Sequence, residues 1–91
     1  MAIMKKVFHS DSGHGWLAVK LNELKMLGIQ ADISDYSFVK GKTAYLEEDS
    51  DAMKFINAAK AKGITVELKE SPPRDNSPIR YFKRYSPDLV E

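Results

Sequence analysis

Apolar positions along this chain follow two rhythms, one of period two and one near period 3.6. The opening "IMKKVFH", residues 3 to 9, reads as a strand, with Val7 and Phe8 adjacent and so on opposite faces. From about Trp16 to Leu27 the spacing lengthens. Leu17, Leu21, Leu24 and Leu27 form one apolar stripe, while Lys20, Asn22, Glu23 and Lys25 lie mostly off it, which predicts a first helix. Gly28 stands where a left-handed C-terminal cap is expected. "ISDYSFV" and "TAYLEE" flank Lys40-Gly41-Lys42 and predict a β-hairpin. In "DSDAMKFINAAKAKG", Asp49 or Ser50 caps a second helix and Asp51 favours its positive end. Ala52, Phe55, Ile56 and Ala59 form its buried stripe, and Gly63 closes it. "ITVELKE" alternates strictly, with Ile64, Val66 and Leu68 inward and Thr65, Glu67 and Lys69 outward.

The order β-α-β-β-α-β over residues 1–70 predicts an α+β fold of the ferredoxin-like, split βαβ kind. Two helices would cover one face of a four-stranded antiparallel sheet. Residues 71–91 hold all four prolines and all three arginines, and read as an irregular C-terminal tail packed on the domain.

Composition narrows the function classes. With 91 residues, 43% hydrophobic and 30% charged, the chain suits one globular domain. A net charge of +1 makes nucleic-acid or membrane binding depend on local segregation of charge. The absence of cysteine removes disulfides, thiolate metal sites and thiol catalysis. "MAIMKKVF" is too short in apolar residues for a signal peptide, and no run approaches a membrane span, so a soluble cytoplasmic protein is expected.

The stretch "HSDSGHGW", residues 9 to 16, carries the densest chemistry. In the predicted topology the first two strands run parallel. One edge would then gather His9, Asp11, His14 and the start of helix one with Lys40, Lys42, Lys60 and Lys62, and the opposite edge would take Glu47, Glu48, Asp49 and Asp51. His9, Asp11, Ser12, Gly13, His14, Gly15, Lys40 and Lys42 are therefore candidates for holding an anion at a helix N-terminus. Asp11 and His14 serve equally well as turn and capping residues. H-x-D-x-x-H is a pattern of low specificity, so His9, Asp11 and His14 remain weak metal candidates, and neither metal nor cofactor is assigned. Acyl-phosphate hydrolases of this fold need an arginine in the first loop, but none occurs before Arg74. The sequence leans away from an enzyme.

The sheet face away from the helices is the other candidate surface. Phe8 and Tyr45 are expected side by side there, as in RNA-recognition domains, although Lys42, Thr43 and Glu48 depart from that motif. In the tail, Ile79, Tyr81, Phe82 and Tyr85 interleave with Arg80, Lys83 and Arg84. Such mixing suits nucleic-acid binding, an arm lying across the sheet, or docking on another protein. An uncovered face would favour a homodimer.

The strings "GHGWLAV", "TAYLEED" and "SPIR" resemble segments of a family of small uncharacterised proteins encoded by bacteria, phages and plasmids. The likeness spans about Lys6 to Arg80 and implies a small accessory protein with no catalytic residues to carry over. Ser50 departs from that family, which is associated with cysteine there. Three readings follow. The first is a non-enzymatic binding protein, inhibiting or modulating a host defence protein through Phe8, Tyr45, Glu47, Glu48, Asp49, Arg80, Tyr81, Phe82, Arg84 and Tyr85. The alternative is a nucleic-acid-binding module using the open face and tail. The third is an anion, metal or enzymatic site in the His9–Gly15 loop.

Overall fold

The computed structural model describes residues 2–72 and 77–90, so Arg74 lies outside the described residues. Eight elements follow in chain order: β1 (Ala2–Ser10), β2 (Gly15–Lys20), α1 (Leu21–Leu27), β3 (Phe38–Lys40), β4 (Thr43–Glu47), α2 (Asp51–Ala61), β5 (Ile64–Glu70) and β6 (Lys83–Arg84). Short 3-10 turns span Pro78–Tyr81 and Pro87–Leu89. The class is α+β, but the sheet departs from the four-stranded antiparallel expectation. It has six strands in the order β5-β1-β2-β4-β3-β6. All neighbours pair antiparallel except β1 and β5, which are parallel.

The main correction lies at residues 16–20. Leu17, Leu21 and Leu24 fit a helical stripe, yet that stripe leaves Trp16 and Val19 unplaced, and both are buried. A strand resolves the conflict through its two-residue period: Leu17 and Val19 face the helices, while Trp16 and Ala18 face the other side. β2 then pairs with both β1 and β4, in the registers His9↔Trp16 and Trp16↔Glu47. The first helix begins only at Leu21. Glu23 in its first turn accepts from the Lys20 N–H at 2.8 Å and pairs with Lys6 on β1. Gly28 at φ 72° supplies the expected left-handed cap.

Leu17, Val19, Ala44, Leu46 and Val39 meet Leu21, Leu24, Leu27, Ala52, Phe55 and Ala59 in one core. Phe8 packs against this core, so it faces the helices rather than standing beside Tyr45. Leu68, expected inward, is 50% exposed on the outermost strand.

The tail closes the other side. β6 pairs with β3, Phe38↔Arg84 and Val39↔Lys83. Before that edge, Phe82 lies 5.3 Å from Tyr45, ring centre to ring centre. After it, Tyr85 enters the helix-side core and donates to the Gln30 carbonyl. Burial, with the nearby Asp51 charge, pushes the Tyr85 phenol up to about 12.

Two outcomes are expected. An added methyl at Gly15 would run into the Phe8 ring. Gly15→Ala should therefore cost about 1–3 kcal/mol in urea unfolding, with a smaller penalty in a Phe8→Ala background. For Tyr85, an unfolded phenol ionises near 10 and the folded one only at about 12. Its stabilising contribution is full below pH ~10 and lost as pH rises through about 12. Melting curves of Tyr85→Phe should lose less stability across that window than wild type, after an initial cost of about 1 kcal/mol for the lost hydrogen bond.

Candidate functional site

"HSDSGHGW" is a strand-to-strand turn. Ser10 pairs with Gly15, and the Asp11 N–H donates to the His14 carbonyl at 2.9 Å, so residues 11–14 turn the β1–β2 hairpin. No helix starts there, since α1 begins at Leu21, so the turn offers no helix N-terminus to an anion. Three of the turn's N–H groups are already used: that of Asp11 on the His14 carbonyl, and those of Gly13 and His14 on Asp11 Oδ1, at 3.1 and 3.0 Å.

Asp11 also receives the tail. The Ser77 N–H donates to its Oδ2 at 3.1 Å, and the Arg80 guanidinium bonds both oxygens, Nη2 to Oδ1 at 2.7 Å and Nε to Oδ2. The Asp11 side chain is wholly shielded from solvent. The Arg80 bond above all, with the Ser77, Gly13 and His14 amides behind it, holds this carboxyl well below the usual range. Burial acts in the opposite direction and is outweighed. Arg80 Nη2 further lies 2.9 Å from His14 Nδ1, a contact in which the guanidinium can only donate.

A second buried carboxylate organises the neighbouring loop. Asp51 Oδ2 accepts from the Ser34 N–H at 3.0 Å and from the Ser34 and Ser37 hydroxyls, each at 2.6 Å. Ser37 Oγ in turn accepts from the Glu47 N–H at 2.9 Å, and the Ser37 carbonyl accepts from the Tyr85 N–H at 2.8 Å. Asp51 is thus a buried anchor rather than a member of an exposed acidic patch. Nothing in its helix-start position signals this; Ser34 and Ser37 lie 17 and 14 residues away in sequence.

Between the two anchors lies a groove of about 590 Å³. Trp16 and Phe38 form its floor, with ring centres 6.5 Å apart. Arg80 stands over Trp16 and Arg84 over Phe38, each 5.9 Å from the ring centre, and the Arg84 guanidinium also donates to the Asp35 carbonyl. Tyr36, 69% exposed, and His14 lie at its rim. Glu47, Asp49 and Ser50 complete the lining. Glu47 is itself fixed, its two oxygens accepting from the Asp49 and Ser50 N–H groups at 2.9 and 3.0 Å.

No family model, curated protein or solved structure matches the chain.

The candidate residues therefore regroup. The turn shares its end of the sheet with Glu47 and Glu48, whose N–H donates to the Gly15 carbonyl. Lys40 and Lys42 flank the opposite end, in the Lys20↔Thr43↔Lys40 register, with Lys40 4.9 Å from the Phe82 ring centre. Lys60 and Lys62 also fall there, just before Ile64, which pairs with Ala2. His9, not Phe8, neighbours Tyr45, at 5.9 Å, and its Nδ1 lies 3.1 Å from Ser71 Oγ. Ser12 is exposed on the turn, Tyr81 is 77% exposed, and Tyr85 is buried. Among the described residues no three histidine or acidic side chains gather to hold a metal ion, and no helix is long and apolar enough to cross a membrane.

The Asp11 knot gives a signed pH dependence. Its folded pKa is depressed, so its stabilisation is present above the ordinary carboxylate value of about 4 and is lost as pH falls below it. Asp11→Asn should lower Tm by several degrees at neutral pH, and the gap to wild type should shrink as pH falls from about 4 toward 2. Trp16 is the single tryptophan and is buried. A red shift of its emission in the variant should report the loosened tail.

Proposed function

We propose that this chain is a non-enzymatic binding protein and that the groove over Trp16 and Phe38 receives a partner protein. One observation carries the reading. Segments far apart in sequence, the first turn, the end of β4 and the tail, bring an aromatic floor and charges of both signs to one place. Tyr36, Arg80 and Arg84 belong to the residue types that anchor protein interfaces. Their arginines are held by other groups, so little ordering entropy remains to be lost on binding.

A protein surface suits this lining better than a nucleic acid. Glu47 and Asp49 repel phosphates, whereas a partner presenting both signs can satisfy the arginines and the carboxylates together. The sheet face that base stacking would need is taken up, because Tyr45 packs on Phe82 and Phe8 faces the helices. In the setting that the resemblance to small phage and plasmid proteins implies, the partner is a host defence protein whose activity the bound chain blocks.

The test is affinity capture from nuclease-treated bacterial lysate with tagged wild type, a Tyr36→Ala/Asp49→Lys variant and a Lys62→Ala control at the far end. The expected result is a discrete protein held by wild type and Lys62→Ala and reduced at least tenfold with the groove variant. A protein held equally by all three, or binding that disappears with nuclease, would contradict the proposal.

A further inference from the structure

The outer edge of β5 carries its own recognition code. β5 ends the sheet, and among the described residues no strand pairs with its far side. Its backbone direction follows from one bond: the Ser71 N–H donates to the Phe8 carbonyl, in a ladder where Phe8 pairs with Glu70. In a parallel ladder alternate residues point to the partner. Residues 67, 69 and 71 therefore turn their backbone groups toward β1, and Val66, Leu68 and Glu70 turn theirs outward. Leu68 is 50% exposed, and on the open face of neighbouring β1, Ile3 is 60% and Val7 38% exposed.

We infer that a second copy of this chain pairs on this edge, β5 against β5, antiparallel about a two-fold axis at Leu68. In that register the charges of "VELKE" are self-complementary. Leu68 faces its own copy, Val66 faces Glu70 of the other chain, and Glu67 faces Lys69 across the axis on both sides. Val66, Leu68 and Glu70 are then the hydrogen-bonded pairs, using the outward backbone groups. Glu67 and Lys69 are the closer, non-bonded pairs, where opposite charges stabilise and like charges destabilise. Moving the axis one residue either way sets Glu67 against Glu67 or Lys69 against Lys69. Charges on an edge strand commonly prevent indiscriminate pairing; here their alternation admits one register and rejects its neighbours. The result is an isologous dimer with one continuous sheet. It leaves the Trp16–Phe38 groove, which lies over β2, β4 and β3 beyond β1, open, and so is independent of the partner proposed there.

Charge reversal tests this by sedimentation of the full chain. Wild type is expected to reach a dimer with rising concentration. Glu67→Lys sets lysine against Lys69, and Lys69→Glu sets glutamate against Glu67, so each alone should shift the dimerisation constant at least tenfold toward monomer. An equimolar mixture of the two variants restores both opposite-charge pairs and should dimerise again, as should the double variant. Thermal melts of each variant separate lost pairing from lost folding. A wild type that stays monomeric through the concentration range, or a dimer unaffected by either reversal, would overturn the inference.

Discussion

The Asp11–Arg80 pair is the constraint on which the rest of this fold depends. A carboxylate shielded from water is costly unless its oxygens are fully engaged. Here three backbone N–H groups and both arms of a guanidinium engage them. The partners come from two places that the chain must bring together, a tight hairpin turn and a tail nearly 70 residues later. Once Ser77 and Arg80 are fixed there, the following residues have little freedom. Phe82 is carried onto Tyr45, β6 onto β3, and Tyr85 around the edge into the core on the helix side.

Asp51 does the same for the other wall of the groove. Its bonds to Ser34 and Ser37 hold the loop that presents Tyr36 and Phe38, and Ser37 passes the constraint to Glu47 and to Tyr85. The groove is thus bounded by two buried carboxylates that do not themselves face it as free charges. Arg80, held over Trp16 while bonded to Asp11, links floor and anchor in one side chain. Preorganisation of this sort suits binding better than flexible surface charge does.

Several elements were legible in sequence because one local rule dominated each. α2 showed its bounds and its stripe, starting after Ser50, although no side chain caps it there, and ending just before Gly63 at φ 77°; the β3–β4 turn showed Lys-Gly-Lys, with Gly41 at φ 62°. β5 showed strict alternation. β2 failed because residues 16–27 satisfy two periods at once: Leu17 belongs equally to a strand that ends at Lys20 and to a helix that starts at Leu21. That one substitution of strand for helix changed the sheet order and moved the histidine turn from the lysines to the acids. The site itself was legible as three separate suspicions, the turn, the carboxylates and the basic-aromatic tail. Their meeting depended on long-range pairing, β2 with β4 and Asp11 with Arg80, which no local period encodes. The two aromatics assigned to the open face split for a similar reason. Phe8 sits one residue off the register that places His9 beside Trp16 and Tyr45.

Amide hydrogen exchange of the intact wild-type chain tests the central claim most directly, because the tail's place in the fold rests on two backbone donors. The Ser77 amide bonds Asp11 and the Tyr85 amide bonds the Ser37 carbonyl. If the tail is an integral wall of the groove, both amides exchange with protection close to that of Leu46 in the central strands. Exchange at the rate of an unfolded chain at Ser77 and Tyr85, beside a protected Leu46, would contradict it.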